Sequence, residues 1–125
     1  MKPPAIREDA LRDPRYPVHR IADRLLPYLR VLVEQFQPEK VVLFGSFAYG
    51  TPDENSDVDL LIIKPIQKSR IKDKVAIRSA WWPLLLASPP ISFDLMLADP
   101  EESRRLSREK NSFHAEIIHK GLQVI

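Results

Sequence analysis

Residues 40–63, KVVLFGSFAYGTPDENSDVDLLII, contain two apolar runs separated by a loop that is rich in turn-forming residues. The first run, Lys40–Phe44, ends at Gly45-Ser46, and residues 50–56 are small or polar at almost every position. The second run, Asp57–Ile63, is apolar without alternation in its last four positions, which is typical of a strand buried on both faces. The segment therefore predicts two neighbouring strands that are joined through a glycine-containing loop.

Helices and further strands are predicted on both sides of this segment. A helical apolar period over Val18–Gln37 predicts a helix that kinks or restarts at Pro27 and ends before Pro38. The other predicted elements are a helix over Gln67–Ala87 broken by Ser88-Pro89-Pro90, a strand over Ile91–Ala98, one or two helices over Glu101–Lys120, and a short edge strand over Leu122–Ile125. Residues 1–17 hold four of the twelve prolines amid dense charge, and we expect an irregular lead-in there. The order predicts the α/β (α+β) class: a single domain over residues 18–125 with a mixed β-sheet covered by helices.

The composition limits the class of protein. With 125 residues, of which 44% are hydrophobic and 29% charged, the chain is expected to form one globular core. No stretch approaches the roughly 20 apolar residues that a membrane-spanning helix needs. The absence of cysteine excludes disulfides and thiolate metal sites and fits a reducing cytosol, so we expect a cytoplasmic protein. A net charge of +2 is too small to indicate a nucleic-acid partner.

Three aspartates form the candidate catalytic site. Asp57 and Asp59 stand two residues apart in a predicted strand, so their side chains point to one face with Cα atoms about 6.6 Å apart. Asp94 lies in an otherwise apolar strand, where an ionised carboxylate is unfavourable unless it is paired or bound to a metal. Carboxylates in this arrangement can hold two Mg²⁺ ions about 3.5–4 Å apart, the geometry used for phosphoryl and nucleotidyl transfer. We therefore predict that all three are catalytic residues and metal ligands.

Gly45 and Ser46 are the candidate phosphate-binding residues. Glycine lets a phosphate approach the backbone closely, the Ser46 hydroxyl can donate a hydrogen bond, and a helical turn after it would direct free N–H groups at an anion.

Two other motifs that bind ions or phosphates, the EF-hand and the P-loop, do not match the residues at the required positions. An EF-hand beginning at Asp53 would require glycine and glutamate where Val58 and Lys64 stand, and the loop lacks the Gly-Lys-Ser/Thr ending of a P-loop.

Gly45-Ser46, then ten residues, then Asp57-x-Asp59 resemble the polymerase-β-type nucleotidyltransferase superfamily, and more closely its minimal prokaryotic group, the MNT or MntA-like antitoxins. The resemblance extends over residues 18–125. It implies ATP as the substrate with Mg²⁺, the three aspartates as metal ligands and Ser46 as a phosphate contact. It also implies a HEPN-domain toxin as the partner, which such proteins neutralise, in some cases by adenylylating it. Tyr49 stands where many members have arginine, so one positive charge near the triphosphate is missing.

These residues and this resemblance lead us to expect an enzyme that transfers AMP from ATP to a hydroxyl on a partner protein. The predicted domain is only large enough for the catalytic core, so a second protein would supply the acceptor. Two alternatives stay open: a non-catalytic antitoxin that masks its toxin by binding alone, and a transferase for a small molecule of the aminoglycoside type. The acceptor, the nucleotide preference and the homo-oligomeric or hetero-oligomeric state also stay open.

The helix predicted over Gln67–Ala87 carries two further patterns. Its apolar row consists of Ile71, Val75, Ala80 and Leu84, and its basic row consists of Arg70, Lys74 and Arg78. The basic row is interpreted either as a solvated face or as a contact for the nucleotide or the partner. Of the pair Trp81-Trp82 we expect half to lie in the core and half to be exposed, and an exposed tryptophan is a candidate interface anchor.

Overall fold

A computed structural model of the chain describes residues 5–87 and 90–125. Its α-helices are α1 (Glu8–Leu11), α2 (Ala22–Val31), α3 (Ser46–Tyr49), α4 (Arg70–Ala87), α5 (Pro100–Ser107) and α6 (Phe113–Lys120). Its strands are β1 (Lys40–Phe44), β2 (Val58–Ile63), β3 (Phe93–Ala98) and β4 (Leu122–Gln123). A 3₁₀ helix (Pro17–Ile21) precedes α2 and a π-helix (Leu32–Phe36) follows it. Two residues of the predicted helix break, Ser88 and Pro89, lie outside the described residues.

Within the described part of the chain, the four strands form one mixed sheet in the order β3-β2-β1-β4. β1 is antiparallel to both β2 and β4, whereas β2 and β3 are parallel. The two central strands, β1 and β2, come from the apolar runs on either side of the glycine loop. The predicted α/β (α+β) architecture, a mixed sheet covered by helices in a single small domain, is therefore confirmed.

The sheet separates two apolar layers. The larger layer is built from β-strand residues packed against α2 and α4: Val41, Leu43, Val58, Leu60, Ile62, Phe93, Leu95 and Leu97. The smaller layer lies on the opposite face and contains Val42, Phe44, Leu61, Ile63 and Ala98 with Ile117 of α6. Because every second residue of a strand faces the same way, this division fixes the face to which each polar strand residue belongs.

The N-terminal segment contains a short helix that the prolines do not predict. Among residues 5–17, Glu8–Leu11 form α1, and Leu11 is fully buried in the larger apolar layer. The Arg7 N–H donates to the Val124 carbonyl over 2.8 Å, which ties the segment to the end of the chain. Burying one leucine stabilises a fold by about 1.5–3 kcal/mol, and proline content does not reveal this contribution. The boundary that we placed between residues 17 and 18 stays a prediction.

The helical region before β1 ends where predicted but does not restart at Pro27. Helix α2 continues through Pro27, which lacks the N–H that would bond to the carbonyl of Asp23, and Asp23 is exposed to water. At the other end, Gln37 takes a left-handed conformation with φ 47° and ψ 58°, and its N–H donates to the Leu32 carbonyl. The chain then leaves the helix at Pro38.

The last third of the chain follows the prediction closely. Asp99 accepts a hydrogen bond from the Glu101 N–H and Ser112 accepts one from the Ala115 N–H, so two capped helices, α5 and α6, form. The predicted edge strand is present as β4, which pairs with β1. None of the described helices is long and apolar enough to cross a membrane.

Helix α4 buries only part of its predicted apolar row, since Leu84 packs against the core and Ala80 is half-buried. Ile71 and Val75 are exposed, whereas Asp73, Ile77 and Trp81 are buried. These buried residues stand at i, i+4 and i+8, so they form a true helical face that includes a charged residue. A pattern that counts only apolar residues misses this face, because the charge of Asp73 is balanced by Lys64.

Candidate active site

The three predicted aspartates lie together on one face of the sheet. Asp59 and Asp94 are register partners on the parallel strands β2 and β3, and Asp57 immediately precedes β2. Asp59 alternates with Val58 and Leu60, which pack in the larger apolar layer, so its carboxylate lies on the opposite face. The arrangement that the Asp-x-Asp spacing predicts is therefore present.

The surroundings of Asp59 disfavour the ionised form of its carboxyl group. Burial raises the pKa of the Asp59 carboxyl to about 6, and the negative charges of Asp94 and Asp57 add to the shift. Within residues 5–87 and 90–125, none of the ion pairs involves any of the three aspartates. The cluster thus has negative charge without a protein cation to balance it.

Gly45 joins the loop after β1 to this cluster. It has a positive φ of 75°, which favours glycine, and a Cβ at this position would lie 2.1 Å from Oδ2 of Asp59. The carboxylate therefore packs directly on the Gly45 backbone, as the register pairing of Phe44 with Asp59 requires. Any larger residue at position 45 would displace Asp59, so the glycine loop and the carboxylates form one site.

Ser46 begins the short helix α3 directly after Gly45. The Gly50 N–H donates to the Ser46 carbonyl over 2.9 Å, and a Cβ on Gly50 would lie 2.8 Å from the Ser46 Cα, so the loop is tightly folded around this residue. The first N–H groups of a helix have no partner within it, and here they belong to Ser46 and Phe47. Ser46 and its backbone N–H thus directly follow the glycine that packs on Asp59, where the sequence predicts a phosphate.

The donor set of the cluster fits a hard divalent cation. Mg²⁺ prefers carboxylate oxygens, and a cation beside Asp59 would reverse the unfavourable charging that raises its pKa. As the side chains are placed, no group of three or more acidic or histidine side chains among the described residues could hold one ion. The roles of Asp57, Asp59 and Asp94 as metal ligands stay a prediction.

A groove of about 480 Å³ lies on the same face of the sheet as the aspartates. Its floor includes Leu61 and Met96, which follow Asp59 and Asp94 by two residues on β2 and β3. Its walls come from the start of α4, from α5 and from the start of α6: Arg70, Lys74, Glu102, Leu106, Ser112, Phe113 and His114. A second cavity of about 510 Å³, lined by Phe47 and Val58 among others, lies on the side of the larger apolar layer, away from the face that carries the aspartates. The first groove is therefore the surface next to the site that can receive the rest of a substrate.

The basic row of α4 has a structural role that the sequence did not indicate. The Arg70 Nε donates to the Leu97 carbonyl over 3.3 Å, and Arg78 donates to the Phe93 carbonyl over 3.0 Å. Both carbonyls belong to β3, the strand at the edge of the sheet, and Arg70 also pairs with Glu102. Arg70 and Arg78 thus cover an exposed strand edge, and Lys74 is left as the cation of the row without such a contact.

The two neighbouring tryptophans divide as predicted. Trp81 is fully buried, donates from Nε1 to the Tyr28 carbonyl over 3.0 Å and packs edge-on against the Tyr28 ring. Trp82 is exposed.

Sequence reasoning missed Phe113, an exposed aromatic residue in the wall of the groove. Its ring packs edge-on against the Phe44 ring, with 5.9 Å between the ring centroids. No sequence signal marks it, because the groove is assembled from five separate segments.

Residues 27–124 match the family described as the nucleotidyltransferase domain. The match covers more than half of the chain and includes the glycine loop and all three aspartates. A comparison with curated proteins finds no match.

Proposed function

The chain belongs to the nucleotidyltransferase domain family, and from this premise we propose that it is a cytoplasmic Mg²⁺-dependent enzyme that transfers AMP from ATP to a hydroxyl on a partner protein. One observation carries the proposal. Asp59 lies against the Gly45 backbone and beside its register partner Asp94, so a triphosphate held by the loop would have its phosphates next to the carboxylates. A domain that only bound another protein would gain nothing from this unbalanced cluster of charge.

The transfer forms one bond and breaks one bond at the α-phosphorus of ATP. The acceptor oxygen bonds to that phosphorus, the bond to the oxygen that bridges to the β-phosphorus breaks, and pyrophosphate leaves. The proton of the acceptor hydroxyl passes to a carboxylate, for which we propose Asp94. Asp94 is exposed on the edge strand β3, so an acceptor can reach it from outside.

The chain's own residues would bind and orient the nucleotide. Ser46 would donate its hydroxyl hydrogen to a phosphate oxygen, and the free N–H groups at the start of α3 would add to the attraction for the anion. Asp57, Asp59 and Asp94 would hold two Mg²⁺ ions. When bound, these ions neutralise charge on the phosphates and lower the pKa of the attacking hydroxyl.

A protein side chain is the acceptor that fits the shape of the site. The acceptor oxygen must come within about 3–3.5 Å of the α-phosphorus to attack in line. Asp57 and Asp94 are exposed, and the groove beside them is open along α4, α5 and α6, so a protruding tyrosine, serine or threonine can enter. We propose a HEPN-domain toxin as the partner, because the chain resembles the minimal nucleotidyltransferases that act on such toxins.

The test is to incubate the chain with ATP, Mg²⁺ and a candidate HEPN-domain partner and to measure the intact mass of the partner. Transfer of one AMP adds about 329 Da to the partner and requires the metal ligands. Asp57→Asn should abolish the mass shift, because it removes one carboxylate from the cluster. Asp53→Asn is the matched control, since Asp53 lies in the same loop and its contacts are with Asn55 and Ser56.

The same experiment distinguishes the remaining functions. If the partner keeps its mass but is inhibited equally by wild type and by Asp57→Asn, the chain acts by masking its partner. If a small hydroxyl compound such as an aminoglycoside gains the AMP in place of the protein, the chain is a small-molecule transferase. Either result would contradict the proposed acceptor, and only the first would contradict transferase activity.

A further inference from the structure

Helix α4 exposes an apolar stripe on the side that does not face the core, interrupted at its centre by Arg78 and Ser79. Its four members, Ile71, Val75, Trp82 and Leu86, are 75%, 57%, 59% and 70% exposed, and we call them the outer stripe. At 100° per residue they fall within an arc of about 60° on the helix. Soluble proteins rarely leave four large apolar side chains on one side of a helix in water unless another surface covers them.

The spacing of the outer stripe is symmetric. Its members are separated by four, seven and four residues, so the row reads the same from either end about a point between Arg78 and Ser79. When two such helices lie antiparallel about a two-fold axis through that point, Ile71 of each copy meets Leu86 of the other. Val75 of each copy likewise meets Trp82 of the other. A surface that is self-complementary about a two-fold axis is the property that a symmetric dimer requires.

Two cavities lie along the outer stripe where this register needs space. One, of about 420 Å³, is lined by Val75, Arg78, Ser79 and Trp82. It lies at the centre of the register, where Trp82 of a second copy would arrive opposite Val75. The other, of about 670 Å³, is lined by Ile71, Val75 and Ala76 with Phe36 and neighbouring polar residues. Leu86 of a second copy would enter it opposite Ile71, so each cavity receives a side chain that is otherwise exposed.

The charges along α4 favour the antiparallel arrangement. The exposed charges of α4 are all positive, because its one carboxylate, Asp73, is buried. The last turn of the helix carries no basic residue. In the antiparallel register Lys72 of one copy lies beside the last turn of the other, the negative end of that helix. A parallel pairing would instead put each Lys72 next to its twin. The Arg78 side chains would flank the two-fold axis, but each is held by the Phe93 carbonyl.

We propose that two copies of this chain form a symmetric dimer through the outer stripe of α4, with the helices antiparallel and Val75 opposite Trp82. The dimer leaves both active sites open, because no stripe residue lines the groove beside the aspartates. The arginines that cover β3 also stay in place, since their contacts are within one chain.

Sedimentation across protein concentrations of about 1–100 µM tests the dimer. Wild type should sediment as a dimer, and Val75→Glu as a monomer, because the new carboxylate would be buried against Trp82 of the second copy. Ala87→Glu is the matched control. It adds the same charge to an exposed position of α4 about 100° from Leu86 and should remain a dimer. A monomeric wild type at the highest concentration would overturn the proposal and leave the stripe to a different protein.

Engineered cysteines test the register, since the chain contains no native cysteine. Ser79→Cys places the thiols of the two copies beside the two-fold axis, so mild oxidation should link the dimer through a disulfide. In Ile71→Cys the two thiols would lie about 22 Å apart along the helix, at 1.5 Å per residue, and should not link. Cross-linking of Ile71→Cys as fast as Ser79→Cys, or of neither variant, would overturn the antiparallel register. Circular dichroism of each variant confirms that the fold is intact.

Discussion

Two carboxylates that lie near opposite ends of strand β2, Asp59 on the strand and Asp73 on α4, are in opposite electrostatic states. At the start of the strand, Asp59 is partly buried next to two other carboxylates, and its pKa is raised to about 6. Just beyond the other end, Lys64 is buried and pairs with Asp73 across 3.0 Å, and the pKa of Asp73 is lowered. Asp73 is the more deeply buried of the two, so burial alone does not decide the direction of the shift.

The difference lies in the hydrogen-bond donors. Burial alone would raise the pKa of Asp73, but the Gln67 N–H at 2.7 Å, the Lys64 ammonium and the Lys68 N–H at 3.2 Å together outweigh it. A carboxylate with this many donors is a structural element that fixes the start of α4. Asp59 has no ion pair among the described residues, so a cation from solution would stabilise its ionised form. Asp73, beyond the end of β2, therefore stabilises the fold, whereas Asp59, at its start, is available to bind a ligand.

Removing the charge of Asp73 should have the largest effect on stability. Asp73→Asn leaves the buried Lys64 ammonium without its carboxylate, and breaking a buried pair in this way destabilises proteins by about 3–5 kcal/mol. Urea unfolding at pH 7 measures the loss. Glu39→Gln is the control, because it breaks the exposed Arg104–Glu39 pair at 3.4 Å, and exposed pairs contribute at most about 1 kcal/mol. Equal losses in the two variants would show that Asp73 and Lys64 do not act as a buried pair.

This contrast also separates what the sequence predicts from what it does not. Asp57, Asp59, Gly45 and Ser46 stand close together in the chain, and strand periodicity places them on one face, so the candidate site could be predicted. Asp94 could be added because it is a charge in an apolar strand. Local rules were sufficient for these residues, because the face and the neighbour of each depend on alternation along a strand.

The pairing of Lys64 with Asp73 could not be predicted, because it depends on where α4 begins and on how the loop from residue 65 to 69 folds back. The same uncertainty affected the predicted apolar row of α4, because the buried face begins at Asp73 and leaves Ile71 and Val75 exposed. The groove beside the aspartates was also missed. It combines residues from β2, β3, α4, α5 and the start of α6, and no local pattern connects them.

Ser46→Ala tests the ligand-binding end of β2 and should have the next largest effect. If the hydroxyl donates to a phosphate, its loss removes a charge-assisted hydrogen bond worth about 1.5–3 kcal/mol, so ATP should bind about 10- to 150-fold more weakly. Titration calorimetry with ATP and Mg²⁺ measures the change. The melting temperature should not change, because a helix as short as α3 adds little stability of its own. ATP affinity equal to that of wild type would mean that Ser46 only shapes the turn.

The smallest expected effect is the pH dependence that Asp59 gives to the metal-free protein. A carboxyl whose pKa is about 6 in the folded state and about 3.9 when unfolded contributes stability that is fully present below about pH 3.9. This contribution is lost as the pH rises through about 6, because the folded protein must then carry a charge that its surroundings disfavour. Asp59→Asn cannot ionise and should not show this loss. The variant should therefore melt within error of wild type near pH 4.

In EDTA at pH 8, Asp59→Asn should melt above wild type by about 2–5 °C, a small gain because solvent screens a partly exposed carboxylate. Asp94→Asn and Asp57→Asn should give smaller gains in that order, since the charge of Asp94 raises the pKa of Asp59 more than that of Asp57 does. Differential scanning calorimetry from pH 4 to pH 8 measures all four proteins. Mg²⁺ should then stabilise wild type at pH 8 and have little effect on Asp59→Asn. A lower melting temperature for Asp59→Asn in EDTA at pH 8 would mean that Asp59, like Asp73, is a carboxylate that the fold needs.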